Sequence, residues 1–209
     1  MTVATLSFDH VVEIVSVVSD AFRDYPVMRY VLGADAPGHG APYEVRLHRL
    51  VQLFVSARAY RDEPLMGVRD AQGALIAAAV MSYAPTADPP PTFIALRESI
   101  WAELGADART RAEAYAEASS FFGELGSHHH LNIIGVRRTH QGLGLGRELL
   151  GAVQKLAAAD PQSTGVSLTT ELPANVKLYE HFGYRVVGHK RVGPGLETWG
   201  MFRDRHSTS

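Results

Sequence analysis

Apolar residues recur along the chain with two periods, and each change of period predicts the start of a new element. From position 9 to 24 they are spaced by three and four, as on the buried side of a helix, at Val11, Ile14, Val15, Val18 and Phe22. Asp9 is the expected N-cap, and the helix should end near residue 24 because Pro26 disfavours helical geometry at Tyr25. Residues 33–42 are rich in Gly and Pro and predict a loop.

The remaining pattern alternates strands and helices. Strands at 65–69 and 75–83 flank residues 70–73, a hairpin turn signal. In chain order the predicted elements are strand 2–6, helix 9–24, helix 43–60, strands 65–69 and 75–83, helices 93–104 and 108–125, strand 130–136, a helix from 145, strand 165–170, helix 173–182, and strands 184–189 and 196–202. The strand–helix–strand unit from 130 to 170 implies a parallel crossover at the centre of one mixed α/β sheet with helices on its faces.

Composition narrows the function classes. The chain has 209 residues, of which 46% are hydrophobic and 20% charged, as expected for one globular domain. A net charge of −2 gives no field that recruits nucleic acid or an anionic membrane. The lack of cysteine excludes disulfides, thiolate metal sites and a cysteine nucleophile. We find no secretory signal or membrane-length apolar run, and therefore expect a cytoplasmic protein without nucleic-acid or membrane partners.

A glycine-rich loop, Gln141-Gly-Leu-Gly-Leu-Gly146, lies between a predicted strand and an amphipathic helix. Glycines allow a tight turn that brings several N–H groups together, and a helix N-terminus adds unpaired donors, so the loop is suited to a phosphate or pyrophosphate. The alternative is a plain strand-to-helix turn. A Walker loop is excluded because Arg147-Glu148 follows the last glycine, and the glycine spacing does not fit a Rossmann turn.

The sequence resembles the GNAT superfamily of acetyl-CoA-dependent N-acetyltransferases. Val136-Arg-Arg-Thr-His-Gln141-Gly-Leu-Gly-Leu-Gly146 matches that family's Gln/Arg-x-x-Gly-x-Gly/Ala signature after a Val-ended strand. A second signature matches downstream, with Asn175, then Tyr179, then Gly183-Tyr184. The resemblance implies a mostly antiparallel α/β (α+β) sheet of about seven strands with a parallel central pair. It also implies an acceptor half at about 1–127 and an acetyl-CoA-binding half at about 128–209.

A closer likeness is to the puromycin N-acetyltransferase-like group. It rests on Ala21-Phe22-x-x-Tyr25-Pro26 and on Gly195-Leu-x-Thr198-Trp199-x-Met201. In puromycin acetyltransferase a Glu aligns with Thr169, so this difference argues against puromycin as the acceptor.

The resemblance assigns roles to the cofactor side of the site. Acetyl-CoA is the expected acetyl donor, and a small-molecule primary amine is expected to attack it directly in a ternary complex. The pantetheine arm is expected to pair with β-strand backbone, and the pyrophosphate to bind loop amides. The cofactor-binding residues are Ile134, Gly135, Val136, Gln141, Gly142, Leu143, Gly144, Leu145, Gly146, Arg147 and Asn175.

Two side chains are candidates for proton transfer. Tyr179 is the expected general acid to the leaving sulfur, since its phenol can give a proton; the alternative is a core role beside Leu178 and Phe182. His130 aligns with a Glu of several family members and is the expected base, directly or through water. The alternatives are an exposed strand end or a water chain alone. Consecutive histidines alternate faces of a strand, so we expect no metal.

Tyr25, Tyr30 and Trp199 are candidates for stacking on the substrate, with core or loop packing as the alternative.

Two other functions stay open. One is acetylation of a protein or peptide, which predicts an open groove. The other is a non-catalytic acetyl-CoA sensor. Dimerisation through the C-terminal strands also stays open.

Overall fold

A seven-stranded sheet forms the centre of the computed structural model, which describes residues 2–34, 41–84 and 88–207. The strands are β1 (Val3–Leu6), β2 (Leu65–Arg69), β3 (Leu75–Ala84), β4 (His128–Val136), β5 (Gly165–Thr170), β6 (Arg185–Gly193) and β7 (Leu196–Asp204). The α-helices in the described residues are α1 (Val11–Ala21), α2 (Pro26–Leu32), α3 (Tyr43–Ala59), α4 (Pro91–Leu104), α5 (Ala106–Ala118), α6 (Leu145–Ala159) and α7 (Pro173–His181). None of these helices is long and apolar enough to cross a bilayer.

The strand order is β1-β2-β3-β4-β5-β7-β6. Every neighbouring pair is antiparallel except the central pair, β4 and β5, which is parallel. The predicted mixed sheet, its hairpin at 70–73 and its parallel crossover are therefore confirmed. The pairing of β4 with β5 runs only from His129 to Leu131, so the two strands diverge beyond that point.

Helices pack on both faces of the sheet. Helices α1 and α3 cover one face, and α6 covers the other. The alternation along β3 explains how both sides become buried, because Ala77 and Ala79 belong to the core beneath α6 while Ala78 and Val80 belong to the core beneath α1 and α3. The run of small residues at 77–79 is thus part of a strand that is buried on both faces.

The structure differs from the sequence predictions near the first helix. Helix α2 was missed, because Pro26 was interpreted only as a terminator, whereas it occupies the first turn of a new helix whose buried side includes Met28 and Val31. Asp9 is not the N-cap of α1, since a 3₁₀ turn at Phe8–His10 precedes that helix. The predicted loop at 33–42 lies partly outside the described residues, which exclude 35–40.

Candidate active site

A cavity of about 960 Å³ opens where β4 and β5 diverge, beneath α2 and α5. Its walls are mostly apolar, with a few polar groups pointing to the same space, as is usual for small-molecule sites. The aromatic residues on its walls are Phe22, Tyr25, Phe54, Tyr115, Phe122 and Tyr179. Both predicted catalytic residues, Tyr179 and His130, line this cavity.

The edge of β4 that faces the cavity is available for backbone pairing. From Ile133 to Val136 the strand pairs with β3 on one side but no longer with β5 on the other, and the β3 register shifts at Asn132. Ile134 lines the cavity, and the buried side-chain oxygen of Asn132 has no hydrogen-bond partner in the described residues. Gly135 is needed here because a Cβ at this position would lie 3.1 Å from the side chain of Ala21. An extended ligand with amide groups can therefore add to this edge as a strand would.

The glycine-rich loop presents its backbone to open space. Gly142 and Gly144 have φ values of 82° and 81°, in the left-handed region that favours glycine, and Gly144 is the N-cap of α6 without a side-chain cap. A Cβ at Gly142, Gly144 or Gly146 would meet no atom within 4 Å. The first N–H groups of α6 thus lack intrahelical and capping partners, an arrangement that fits a pyrophosphate.

The other loop residues hold this geometry. The Gln141 side-chain amide donates to the carbonyl of Val136, at 3.3 Å, and ties the loop to the end of β4. Leu145, the first residue of α6, is buried, whereas the Leu143 side chain is exposed. The Arg147 guanidinium lies over the ring of Phe182, 5.7 Å from its centroid. Arg147 therefore presents its backbone N–H in the first turn of α6, while its side chain lies against Phe182.

Helix α7 brings Asn175 and Tyr179 to the cavity wall. Asn175 Nδ2 donates to Thr170 Oγ1 at 3.2 Å, which fixes the amide against the end of β5. Tyr179 is buried, and desolvation together with the negative charge of Glu171 raises its pKa to about 12. The phenol is therefore fully protonated at neutral pH and is able to donate.

The three consecutive histidines alternate across β4, as the two-residue period predicts. His128 and His130 line the cavity, whereas His129 is buried beside Ser163, with Asp160 nearby. Nδ1 of His130 lies 2.7 Å from the Ser167 hydroxyl. Desolvation lowers the pKa of His130 to about 3, and the nearby Arg58 and His128 add to the shift, so the imidazole is neutral at physiological pH.

The predicted acceptor residues do not all meet in one place. Tyr25 lines the cavity, whereas Tyr30 and Trp199 are not among the described residues that form its wall. Tyr30 packs against Gly193 of β6, and Trp199 stacks on His189 with ring centroids 4.6 Å apart. Side chains alternate along β7, so Trp199 lies on the face opposite to its neighbour Thr198, which contacts the cavity residue Glu171.

Glu171 is the main cavity residue to which the sequence analysis gave no role. It directly follows β5, its side chain is 7% exposed, and burial raises the pKa of its carboxyl group. Its Oε1 accepts hydrogen bonds from the Tyr115 hydroxyl at 2.8 Å and the Thr198 hydroxyl at 2.9 Å. The available sequence signal was the two-residue period from Thr169, which places Glu171 on the same face of the strand.

Comparison with known proteins agrees with this geometry. No curated protein sequence is significantly similar to the chain. Among solved structures, a Corynebacterium glutamicum histone acetyltransferase HPA2 and related acetyltransferase is 18% identical, with a TM-score of 0.69 over 100% of this chain and 98% of that one. Arylalkylamine N-acetyltransferase 2 from Aedes aegypti is 15% identical, with a TM-score of 0.65 over 98% of each chain. Drosophila melanogaster polyamine N-acetyltransferase is also 15% identical, with a TM-score of 0.64 over 96% and 97%.

These structural similarities establish the fold. The sequence itself matches the family model described as the acetyltransferase (GNAT) domain over residues 95–204, which include the glycine-rich loop and α7. The chain therefore belongs to the GNAT acetyltransferase family, whose acetyl donor is acetyl-CoA.

Proposed function

We propose that the protein transfers the acetyl group of acetyl-CoA to the primary amine of a small molecule, by direct attack in a ternary complex. The observation that carries this proposal is the continuity of one cavity, which extends from the open edge of β4 to a space covered by α2 and α5. Aromatic walls and a helical cover suit a compact acceptor, whereas a protein segment needs an open groove. The names of the Aedes and Drosophila structures, an arylalkylamine and a polyamine acetyltransferase, support the same class.

The cofactor side follows from the available donors. Ile134, Gly135 and Val136 would pair with the pantetheine arm along the free edge of β4. The backbone N–H groups of residues 141–147 would hold the pyrophosphate, and Asn175 would contact the arm from α7. When bound, acetyl-CoA supplies the thioester carbonyl that an amine attacks.

The chain's own groups then meet the demands of the chemistry. A backbone N–H of β4 stabilises the oxyanion, and Tyr179 gives its proton to the departing sulfur. His130 keeps the role predicted from the sequence, as a proton acceptor on β4 acting directly or through water. Since its pKa is about 3, its imidazole is suited to passing a proton on rather than storing it.

We also propose that the chain is a member of the puromycin N-acetyltransferase-like group, which the motifs near residues 21–26 and 195–201 support. Thr169 lies on the cavity wall, where its hydroxyl is 3.2 Å from that of Tyr115. A hydroxyl in place of the carboxylate of puromycin acetyltransferase favours an acceptor other than puromycin.

The test is release of free CoA thiol, followed with a chromogenic thiol reagent. The protein contributes no background because it has no cysteine. The amines are arylalkylamines, polyamines, puromycin and short peptides. Release with small amines is expected, and release with peptides alone would favour the protein-acetylating alternative. Acetyl-CoA binding without release by any amine would favour a sensor, and lack of binding would contradict all three functions.

A further inference from the structure

A buried carboxylate lies on the acceptor side of the cavity. Glu171 is held from two directions, by Tyr115 of α5 and Thr198 of β7, and its backbone N–H donates to the Tyr25 hydroxyl at 3.4 Å. Both side-chain hydrogen bonds end on Oε1. The Tyr25 hydroxyl is a further donor to the carboxyl group and partly offsets the rise in its pKa. Oε2 carries neither the Tyr115 nor the Thr198 bond, so it is the oxygen that can meet an incoming group.

The charge of this carboxylate is not compensated within the described residues. No Arg, Lys or His in the described part of the chain forms an ion pair with Glu171, and none contributes to its pKa. A buried ion without a partner is costly, and the cost falls when a cation binds beside it. The hydroxyl donors orient the carboxylate but carry no positive charge. A cationic ligand beside Glu171 therefore lowers the cost of its charge.

We propose that Glu171 binds the ammonium group of the acceptor and takes its first proton, and that the acceptor is a monoamine with an apolar body. This inference rests on the function proposed above and identifies the residue that recognises the amine. Glu171 is the one acidic residue among the described residues on the cavity wall. The wall also includes Arg58, which is paired with Glu63 at 3.7 Å, so the described wall offers no second carboxylate to a further ammonium group such as a polyamine carries.

The ammonium group of the acceptor loses two protons in the course of the transfer. An alkylammonium has a pKa near 10 and must lose a proton before it can attack. One N–H proton moves to Oε2 of Glu171, and the nitrogen lone pair then forms the N–C bond as the C–S bond breaks. Tyr179 donates its proton to the sulfur, and the second N–H proton returns to Tyr179, passed on by His130 directly or through water. Glu171 finally releases its proton to solvent, so the products are the amide, free CoA and one proton.

Glu171 is better suited than His130 to receive the first proton. Burial raises the pKa of the Glu171 carboxyl above its ordinary value, whereas burial lowers the pKa of His130 to about 3. The carboxylate also attracts the ammonium by charge, which a neutral imidazole does not. Binding and deprotonation are thus assigned to the same oxygen.

The experiment compares Glu171→Gln with Glu180→Gln, the same change at an exposed position on α7. Thiol release is measured with 2-phenylethylamine, tyramine and tryptamine, with spermidine, and with 2,2-difluoro-2-phenylethylamine, whose fluorines lower the pKa of its ammonium group. Melting temperature and acetyl-CoA affinity are measured on each variant to show that the fold and the cofactor site persist. Glu171→Asp, which keeps the charge, serves as the second variant if Glu171→Gln does not fold.

For 2-phenylethylamine we expect kcat/KM to fall by about 100-fold or more in Glu171→Gln, the usual scale for loss of a catalytic base. The loss should be at least several-fold smaller for the difluoro amine, because more of it is already neutral. Glu171→Asp should keep the acid limb of the wild-type pH profile, and Glu171→Gln should lose it. Spermidine should be the poorer wild-type substrate.

Each contrary result has a distinct meaning. A wild-type protein that releases thiol with none of the amines overturns the proposed function and this inference together. A wild-type protein that is active, with equal losses for both phenylethylamines in Glu171→Gln or none at all, overturns the role of Glu171 alone. Loss of the acid limb of the pH profile in Glu171→Asp would likewise overturn the role of Glu171 alone. Preference for spermidine, or failure with all three arylalkylamines, overturns the monoamine class.

Discussion

The Tyr25 hydroxyl lies 3.1 Å from Oγ1 of Thr170, so a hydrogen bond joins the start of α2 to the end of β5. Thr170 Oγ1 also accepts a hydrogen bond from Asn175, which extends the connection to α7. Burial raises the pKa of Tyr25, so its phenol stays protonated. These hydrogen bonds hold the start of α2, which covers the cavity, against the end of β5 and against α7. Glu171 directly follows β5, and Tyr179 lies on α7.

Replacing Tyr25 by Phe should loosen this connection. We expect the free energy of unfolding to fall by about 1 kcal/mol, the usual net value of one hydrogen bond, and the KM for the amine to rise several-fold. Urea unfolding and steady-state kinetics measure the two effects. Tyr43→Phe is the matched control, since its hydroxyl bonds to the Arg23 carbonyl at 2.8 Å outside the cavity wall. A KM that changes equally in both variants would contradict a specific role of Tyr25.

Removing the Tyr179 hydroxyl should slow the chemical step while leaving cofactor binding intact. For Tyr179→Phe we expect kcat to fall by about 100-fold or more, as for loss of a general acid, with little change in acetyl-CoA affinity. Tyr184→Phe is the control, because that ring lies 5.7 Å from the Tyr179 ring but outside the cavity wall. If Tyr179→Phe keeps the wild-type kcat, Tyr179 is a packing residue.

Alanine variants of Gly144, in the glycine-rich loop, and of Gly73, in the β2–β3 turn, test the loop with the same backbone strain in both. Gly144 and Gly73 have φ values of 81° and 84°, and a Cβ at either position meets no atom within 4 Å. Alanine at each site should therefore cost a similar 1–2 kcal/mol of stability, the approximate penalty of a left-handed residue. Only Gly144→Ala should weaken acetyl-CoA binding, by about tenfold or more, because it crowds the donors at the start of α6. Calorimetry compares the two variants, and equal affinities would show that the loop is only a turn.

Strands and helices with a strong local signal were predictable from the sequence. Strands β2 and β5 occupy 65–69 and 165–170, as their apolar runs predict. Helix α2 was missed because seven residues are too few to show a helical period, and its Pro26 has opposite meanings at the end and at the start of a helix.

The acceptor side of the site was less predictable than the cofactor side. The glycine loop carries its chemistry in consecutive residues, so a local motif is sufficient. Glu171 depends on Tyr115 and Thr198, which are 56 and 27 positions away in the chain, and only the folded sheet brings them together. Trp199 was predicted to reach the substrate because its type suits stacking, but strand alternation turns it away from the cavity.

The half-buried His130, whose imidazole is poorly solvated, should make the protein sensitive to acid. Its pKa is about 3 in the folded state and near 6.5 when unfolded, so the unfolded chain binds more protons as the pH falls between these values. His130 therefore leaves the free energy of unfolding unchanged above about pH 6.5. Below that pH, it lowers the free energy of unfolding progressively toward pH 3. We expect the wild-type protein to lose about 2 kcal/mol more than His130→Gln between pH 6 and pH 4.5.

Urea unfolding at a series of pH values measures this difference. His48→Gln, at an exposed position on α3, should follow the wild-type curve because it leaves the His130 imidazole in place. Parallel curves for wild type and His130→Gln would show that His130 titrates normally, and the argument that it passes on rather than stores a proton would then fail. A steeper wild-type curve would support the assignment of the first proton to Glu171, because a histidine that stays neutral to about pH 3 cannot hold it.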